Sequence, residues 1–280
     1  MKTLSDIEVR KAMPGRNPDS YKGDYGQVLI IGGNKQMGGA IILSASAAVY
    51  SGAGLVTVAT DPVNRSALHA RLPEAMFLSY DDEEAMKEMI QSSDVILIGP
   101  GLGRDEKAKR RLECVLKNVS SKHRLVLDGD ALTLLAIESF SLPLAFILLT
   151  PHLGEWEKLS GLSPAKENPV SNQKAVKKLK AGVVVKKHRT EIYLDGDIWQ
   201  NTAGNAGMAT GGMGDTLAGM LAGFLAQFDS TQAAVTSAVY LHSHIGDLLA
   251  KTQHVVLPSR LIEQIPQVMK QYERKELPHL

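Results

Sequence analysis

Apolar positions in this chain fall into short runs, each followed by a polar or glycine-rich turn and then a stretch with helical spacing. The run QVLII at 27–31 is the first, and GGNKQMGG leads from it into a small-residue helix over 40–50. LVTVAT at 55–60 is the next strand, with Val56, Thr57 and Val58 supplying β-branching. The same alternation predicts strands at 75–78, 94–98, 124–127, 145–149 and 182–185. Between them it predicts helices at 82–91, 105–118, 131–137, 155–160 and 172–179. Residues 5–12 read as a helix capped by Ser5 and stopped by Pro14 and Gly15. Segments 191–194 and 198–201 read as a hairpin turning at Asp195, Gly196 and Asp197. Helices dominate from 215 to about 271.

Continuous apolar strands separated by helices predict an α/β fold: a mostly parallel central sheet covered on both faces, three layers deep. In such sheets ligands bind beyond the carboxyl ends of the strands. The residues that follow the strands ending at 31, 98, 127, 149 and 185 therefore share one rim. No repeat and no low-complexity linker divides the chain, so residues 1–280 are read as a single domain.

Composition narrows the function. Thirty-one Lys and Arg against 30 Asp and Glu leave a formal net charge of +1, so neither nucleic acid nor a membrane is required as a partner. One cysteine, Cys114, rules out an intrachain disulfide and fits a reducing, cytoplasmic setting. The first 16 residues have no apolar core of the kind a signal peptide needs. Apolar segments stop well short of the roughly 18 residues that a membrane span takes.

Chemistry concentrates in NTAGNAGMATGGMGDTLAGMLAG, residues 201–223. Five glycines (Gly204, Gly207, Gly211, Gly212 and Gly214) precede Asp215, and then an apolar helical pattern begins. A flexible backbone entering a helix N-terminus presents free N–H groups and the positive end of the helix dipole, which suits phosphate. On these residues alone Asp215 is either a helix cap or a base beside the anion.

Other strand ends supply weaker candidates. In GGNKQMGGA, Gly33 and Gly38 have P-loop spacing, but Gly39 and Ala40 stand where Lys and Ser or Thr are required. GPGLG at 99–103 lacks the third glycine of a dinucleotide fingerprint, since Arg104 stands there. Asp128 and Asp130 end a strand; they can hold Mg²⁺ through water, or Asp130 can cap the next helix. His152 and Glu155 lie in TPHLGE, a loop shaped by Pro151 and Gly154. Lys186, Lys187, His188 and Arg189 form either a solvated basic turn or a phosphate contact. His242 and His244 are two apart on a helix and face different ways, against a zinc site. As a set, the glycine-rich helix start, the basic turn and the acidic strand ends suggest phosphoryl chemistry.

The GGMGD at 211–215, with NTAGNAGMAT before it, resembles the anion-hole and catalytic-Asp signature of the ribokinase-like superfamily. Together with KGDYGQVLIIGG, GGAIILSASAAVYSGAGLVTVAT, GPGLG, LDGDAL and TPHLGE, it is similar to the ADP/ATP-dependent NAD(P)H-hydrate dehydratases, in ordered blocks from 22 to 249. The resemblance implies a ribokinase-like fold and metabolite repair by a stand-alone bacterial type. The S-epimer of hydrated NADH or NADPH is phosphorylated on its hydroxyl at the expense of ADP, giving AMP, and loss of phosphate restores the cofactor; eukaryotic members use ATP. It further implies Asp215 as the base, with the N–H groups of Gly212, Met213 and Gly214 stabilising the transferring phosphoryl. Ala40, Gly103, His152 and Asn205 would contact the hydrated cofactor together with Asp215. Lys186, Lys187, His188, Arg189, Thr190 and Gly214 would hold the nucleotide, Glu155 would assist Mg²⁺, and the protein would be a cytoplasmic homotetramer. Lys187 is a departure: many relatives have Gly after the first Lys. A kinase of the same superfamily acting on a vitamin-precursor alcohol, of the hydroxyethylthiazole or hydroxymethylpyrimidine type, is the alternative that shares GGMGD.

Overall fold

A computed structural model describes residues 1–138 and 140–273. The chain opens with a two-residue strand, β1 (Lys2–Thr3), and helix α1 (Asp6–Ala12). Ser5 caps α1 in a reciprocal capping box with Glu8. Strand β2 (Gln27–Ile31), helix α2 (Gly38–Tyr50), strand β3 (Leu55–Thr60), helix α3 (Arg65–Arg71) and strand β4 (Met76–Ser79) follow. Next come α4 (Glu83–Ser92), β5 (Val95–Ile98), α5 (Glu106–Asn118), β6 (Arg124–Leu127), α6 (Asp130–Ile137) and β7 (Phe146–Leu149). Then α7 (Leu153–Ser160), α8 (Pro169–Leu179), β8 (Gly182–Val185), β9 (Glu191–Leu194) and β10 (Asp197–Gln200) complete the sheet. Three helices close the described chain: α9 (Met213–Gln227), α10 (Thr231–Ala250) and α11 (Pro258–Tyr272).

Among the described residues ten strands form one sheet in the order β1-β10-β9-β8-β7-β6-β5-β2-β3-β4. β9 runs antiparallel to both of its neighbours, and every other pairing is parallel. Successive strand residues point to opposite faces. Val28, Ile30, Val58, Leu97, Val126 and Val184 therefore pack under α2, α9, α10 and α11. Leu29, Ile31, Ile96, Leu127, Leu149 and Val185 pack under the helices α4 to α8. Both faces of the central strands are buried, which explains why those strands read as unbroken apolar runs.

One close approach matters for the site. A Cβ on Gly219 would fall 2.1 Å from the Ser44 carbonyl oxygen, so α9 lies against α2 with no room for a side chain there. Ser44 Oγ donates to the Asp215 carbonyl at 2.9 Å, fixing the first turn of α9 on that scaffold.

Several boundaries differ from the sequence reading. α2 starts at Gly38 rather than 40, and α8 starts at Pro169 because Asn168 caps it, accepting from Val170 and Ser171. The hairpin turn holds two residues, Asp195 and Gly196, both at positive φ, so Asp197 already pairs with Leu194. β4 is displaced by one residue, and α3 and β1 were not expected. β1 is too short for any periodicity to reveal; it exists because Lys2 and Thr3 pair with Trp199 and Gln200.

Candidate active site

The α9 N-terminus forms the floor of the site. Gly212 precedes α9 at φ 91°, and a Cβ there would lie 2.5 Å from Leu43 Cδ1, so the position demands glycine. No side chain caps this helix. Its first N–H groups are thus left for a ligand, with the helix dipole behind them.

Asp215 sits in that first turn without acting as a cap. Among the described residues its carboxylate has no hydrogen-bond or ion-pair partner. Burial pushes its pKa up from 3.8 to about 6; the nearby Asp128 carboxylate adds to the rise and Lys186 opposes it. An uncommitted carboxylate with a pKa just below neutrality is suited to accept a proton.

Lys186 reaches the same place from the β8 end. Its Nζ donates to Asp128 Oδ1 at 2.6 Å and stands 3.2 Å from where a Gly214 Cβ would be. Thr150 Oγ1 donates to the same Asp128 oxygen at 2.7 Å. Asp128 is 2% exposed, so its charge is sustained by these partners. The ammonium is held by one carboxylate on the sheet side and overhangs the helix start on the other.

His152 is the N-cap of α7, its Nδ1 accepting from the Gly154 and Glu155 amides. Glu155 accepts in return from the His152 amide at 2.8 Å. Burial raises the Glu155 pKa. His152 and Lys186 are neighbours across a parallel bridge, with the Lys186 amide donating to the Pro151 carbonyl at 2.8 Å.

Ala40 and Gly103 belong to a different part of the rim. The loops after β2 and β5 are laced together: the Gly33 amide donates to the Pro100 carbonyl at 2.9 Å, and the Asn34 amide to the Gly101 carbonyl at 2.7 Å. Asp130 accepts from the Gly103 amide at 2.9 Å and from Arg104 Nε at 2.7 Å. Asp130 is therefore the tether of the GPGLG loop and not a helix cap; Gly129 occupies the capping position of α6. Asp130 follows its strand end so closely that sequence position alone cannot separate the two roles.

A cavity of about 860 Å³ opens beside the α9 start. The residues of the turn 186–190 line it together with Gly214, Met213, Asn205 and His152. Ala40, Gly103 and Asp215 are not in its wall. The sequence-derived nucleotide residues are thus brought together, and the hydrated-cofactor residues divide: His152 and Asn205 face this cavity, Ala40 and Gly103 the other loops. Two residues are committed elsewhere by their side chains. Asn205 Nδ2 donates to Asp247 Oδ1 at 2.8 Å while its Oδ1 accepts from the Gly207 amide. The Lys187 ammonium lies 2.7 Å from Glu167 Oε1 and 3.1 Å from Glu191 Oε1.

Sequence reasoning missed Thr150 and Asp247. Asp247 accepts from both the Gly204 amide, at 2.9 Å, and Asn205, holding the cavity's outer wall onto α10. A signal existed: Ser243 and Asp247 are polar residues one helical turn apart on the apolar α10, and Ser243 Oγ accepts from Asn201 Nδ2. His242 also faces the cavity; burial lowers its pKa to about 4, so it is neutral there. A second hollow, of about 520 Å³, lies at the other end of the sheet beside Met13, Arg16 and Met269 and carries none of these groups.

Among the described residues no group of three His, Cys, Asp or Glu side chains could hold a metal ion, and no helix is long and apolar enough to cross a membrane. A family model described as NAD(P)H-hydrate dehydratase matches residues 28–267. The ADP-dependent (S)-NAD(P)H-hydrate dehydratase of Staphylococcus aureus is 50% identical over 273 residues, covering 98% of both chains. A crystal structure of a ribokinase-like superfamily protein from Enterococcus faecalis superposes with a TM-score of 0.96 at 47% identity, over 98% of this chain and 96% of that one. The ADP/ATP-dependent NAD(P)H-hydrate dehydratase of Bacillus subtilis, co-crystallised with ATP and Mg²⁺, gives 0.88 at 30% identity, over 97% of this chain and 99% of that one.

Proposed function

Because the chain belongs to the NAD(P)H-hydrate dehydratase family, we propose the following division of labour for its ADP-dependent reaction. It is an enzyme that dehydrates the S-epimer of hydrated NADH or NADPH at the expense of ADP, restoring the cofactor. The observation that carries the assignment of roles is the uncapped α9 N-terminus, with Asp215 free beside it and Lys186 above Gly214.

Hydroxide is a poor leaving group and phosphate a good one. Asp215 takes the proton of the hydrate's hydroxyl as that oxygen attacks the terminal phosphorus of ADP. The bond from that phosphorus to the bridging oxygen breaks, and AMP leaves. The N–H groups of Gly212, Met213 and Gly214 with Lys186 receive the charge on the transferring phosphoryl. Phosphate then departs from the ring carbon, the neighbouring carbon loses a proton, and the ring double bond returns. The products are NAD(P)H, AMP and phosphate. The cavity beside the turn 186–190 takes the nucleoside part of ADP, through Lys186, the Lys187 backbone, His188, Arg189 and Thr190. The side of Ala40 and Gly103 takes the hydrate, with His152 and Asn205 between the two.

Mg²⁺ fits this donor set as a phosphate-borne ion, held by one or two carboxylates and water rather than by a protein cage. Glu155 and Asp128 are the carboxylates that would hold it, and it would neutralise phosphate charge. We place the protein in the cytoplasm, as one domain assembled into a homotetramer by family resemblance, with no nucleic-acid or membrane partner; light scattering in solution checks the assembly.

Incubation with hydrated NADPH and ADP should restore the NADPH absorbance band, and omission of nucleotide should abolish the recovery. No nucleotide-dependent recovery, with phosphorylation of a thiazole or pyrimidine alcohol instead, would reject the assignment in favour of the vitamin-precursor kinase.

The raised pKa of Asp215 sets a pH dependence. The carboxylate is the active form, so kcat/KM should fall below about pH 6. Asp128→Asn removes a negative neighbour, so this acid limb should move to lower pH; a limb that stays put would assign it to another group. The linked stability effect has the opposite sign. Folding favours the protonated acid, so the penalty for Asp215 is absent below 3.8, grows as pH rises and is complete above about 6.

A further inference from the structure

We propose that the Lys187 side chain has a positioning role: it holds the turn 186–190 from behind, through a buried ion cluster with Glu167 and Glu191, and does not itself touch the nucleotide. The inference rests on the reading of that turn as the nucleotide site.

Consecutive residues on extended chain point to opposite sides. Lys186 projects forward to Asp128 and the α9 start, and Lys187 projects back between α8 and β9. The Lys187, Glu167 and Glu191 side chains are 17%, 15% and 5% exposed. Burial by itself lowers the Lys187 pKa, but the two carboxylates outweigh it and hold it raised, so the ammonium stays charged. Glu167 is lowered by the same contact and by Asn172, against the effect of burial.

The cluster continues into the protein. Glu191 accepts from the Tyr193 hydroxyl, and Asn172 Nδ2 donates to that hydroxyl at 3.0 Å and to Glu167 at 3.1 Å. Trp156 Nε1 donates to Asn172 Oδ1 at 2.8 Å. One connected network therefore joins α7, α8, β9 and the turn. The turn needs an anchor, since Arg189 adopts φ 61°, a left-handed conformation unfavourable for a side chain with a Cβ. Backbone bonds fix only its two ends: Lys186 donates to the Pro151 carbonyl, and the Asn201 amide to the Thr190 carbonyl. Between those ends the Thr190 hydroxyl donates to the Lys187 carbonyl at 3.4 Å, and the Lys187 cluster ties the turn to α8 and β9 and so sets the path of the chain from Lys187 to Thr190.

Glu167 gives the sharper test, because it is not in the cavity wall and reaches the turn only through Lys187. Glu167→Gln should raise KM for ADP several-fold, with kcat and KM for hydrated NADPH within about twofold of wild type. Lys187→Met should weaken ADP binding by calorimetry at least tenfold, and Lys187→Arg should recover most of it. The double variant Glu167→Gln with Lys187→Met should be no worse than Lys187→Met alone, since both act on one contact. A lowered melting temperature with unchanged ADP affinity, or equal losses for both substrates, would overturn the proposal. ADP affinity that responds to Lys186→Ala but to neither Glu167→Gln nor Lys187→Met overturns it alone. Affinity indifferent to Lys186→Ala as well overturns the nucleotide assignment with it.

Discussion

Asp215→Asn is expected to lower kcat by about 10²–10⁴-fold, the range that a positioned general base contributes, while ADP binds as before. The amide nearly preserves the shape and cannot take the hydroxyl proton. ADP affinity is retained because the groups assigned to the nucleotide lie in the turn 186–190 and at Gly214, and Asp215 is outside that cavity wall. Structural collapse is not expected: the carboxylate makes no hydrogen bond among the described residues, and its negative charge is disfavoured where it sits. Stopped single-turnover kinetics with saturating ADP measures the rate, and calorimetry the affinity. An unchanged rate would remove Asp215 from the mechanism. Lost ADP binding would relocate it to the nucleotide side.

Lys186→Ala should show two separable losses. It leaves the Asp128 carboxylate buried with Thr150 as its remaining partner, and breaking a buried pair in this way costs roughly 3–5 kcal/mol. The partial exposure of Lys186 places the effect toward the lower end. It also removes the proposed charge-assisted contact to phosphate, for an expected loss of about 10–100-fold in ADP affinity. Adding Asp128→Asn should return most of the stability, since an amide can stay buried without a cation, and none of the affinity. Denaturant melts of the two variants measure the first loss and titration with ADP the second. Recovery of both together would make Lys186 a structural residue only, and a greater loss for hydrated NADPH than for ADP would count against the assigned division of the cleft.

The sheet was legible because it is buried on both faces: QVLII, VILI and GVVV have no polar side to confuse the pattern. The α9 start was legible because five glycines ahead of an apolar helix have few other physical uses. What was not legible depends on partners distant in sequence. Asp130 tethers Gly103 across 27 positions, Asp247 holds Asn205 across 42, and Glu167 captures Lys187 across 20. A one-dimensional reading of KKHR sees adjacent positive charges; only the alternation of an extended backbone shows that one faces Asp128 and the α9 start and the next a pair of glutamates. β1 has no local pattern, since its existence depends on the far edge of the sheet.

The reversed strand β9 has a consequence for how this cleft can diversify. Successive parallel strands need a crossover of a dozen or more residues, usually a helix, whereas reversed neighbours can be joined by a few. Because β9 turns back beside β8, the proposed nucleotide wall is a five-residue segment, 186–190, whose two ends are fixed in register by Val185 pairing with Glu191. That makes it a cassette. Its side chains can be exchanged between relatives without moving any strand, and the loops around Ala40 and Gly103 belong to a part of the sheet that such an exchange does not touch. On the proposed division of the cleft, the choice of phosphate donor can therefore drift with little effect on the Ala40 and Gly103 side that takes the damaged cofactor.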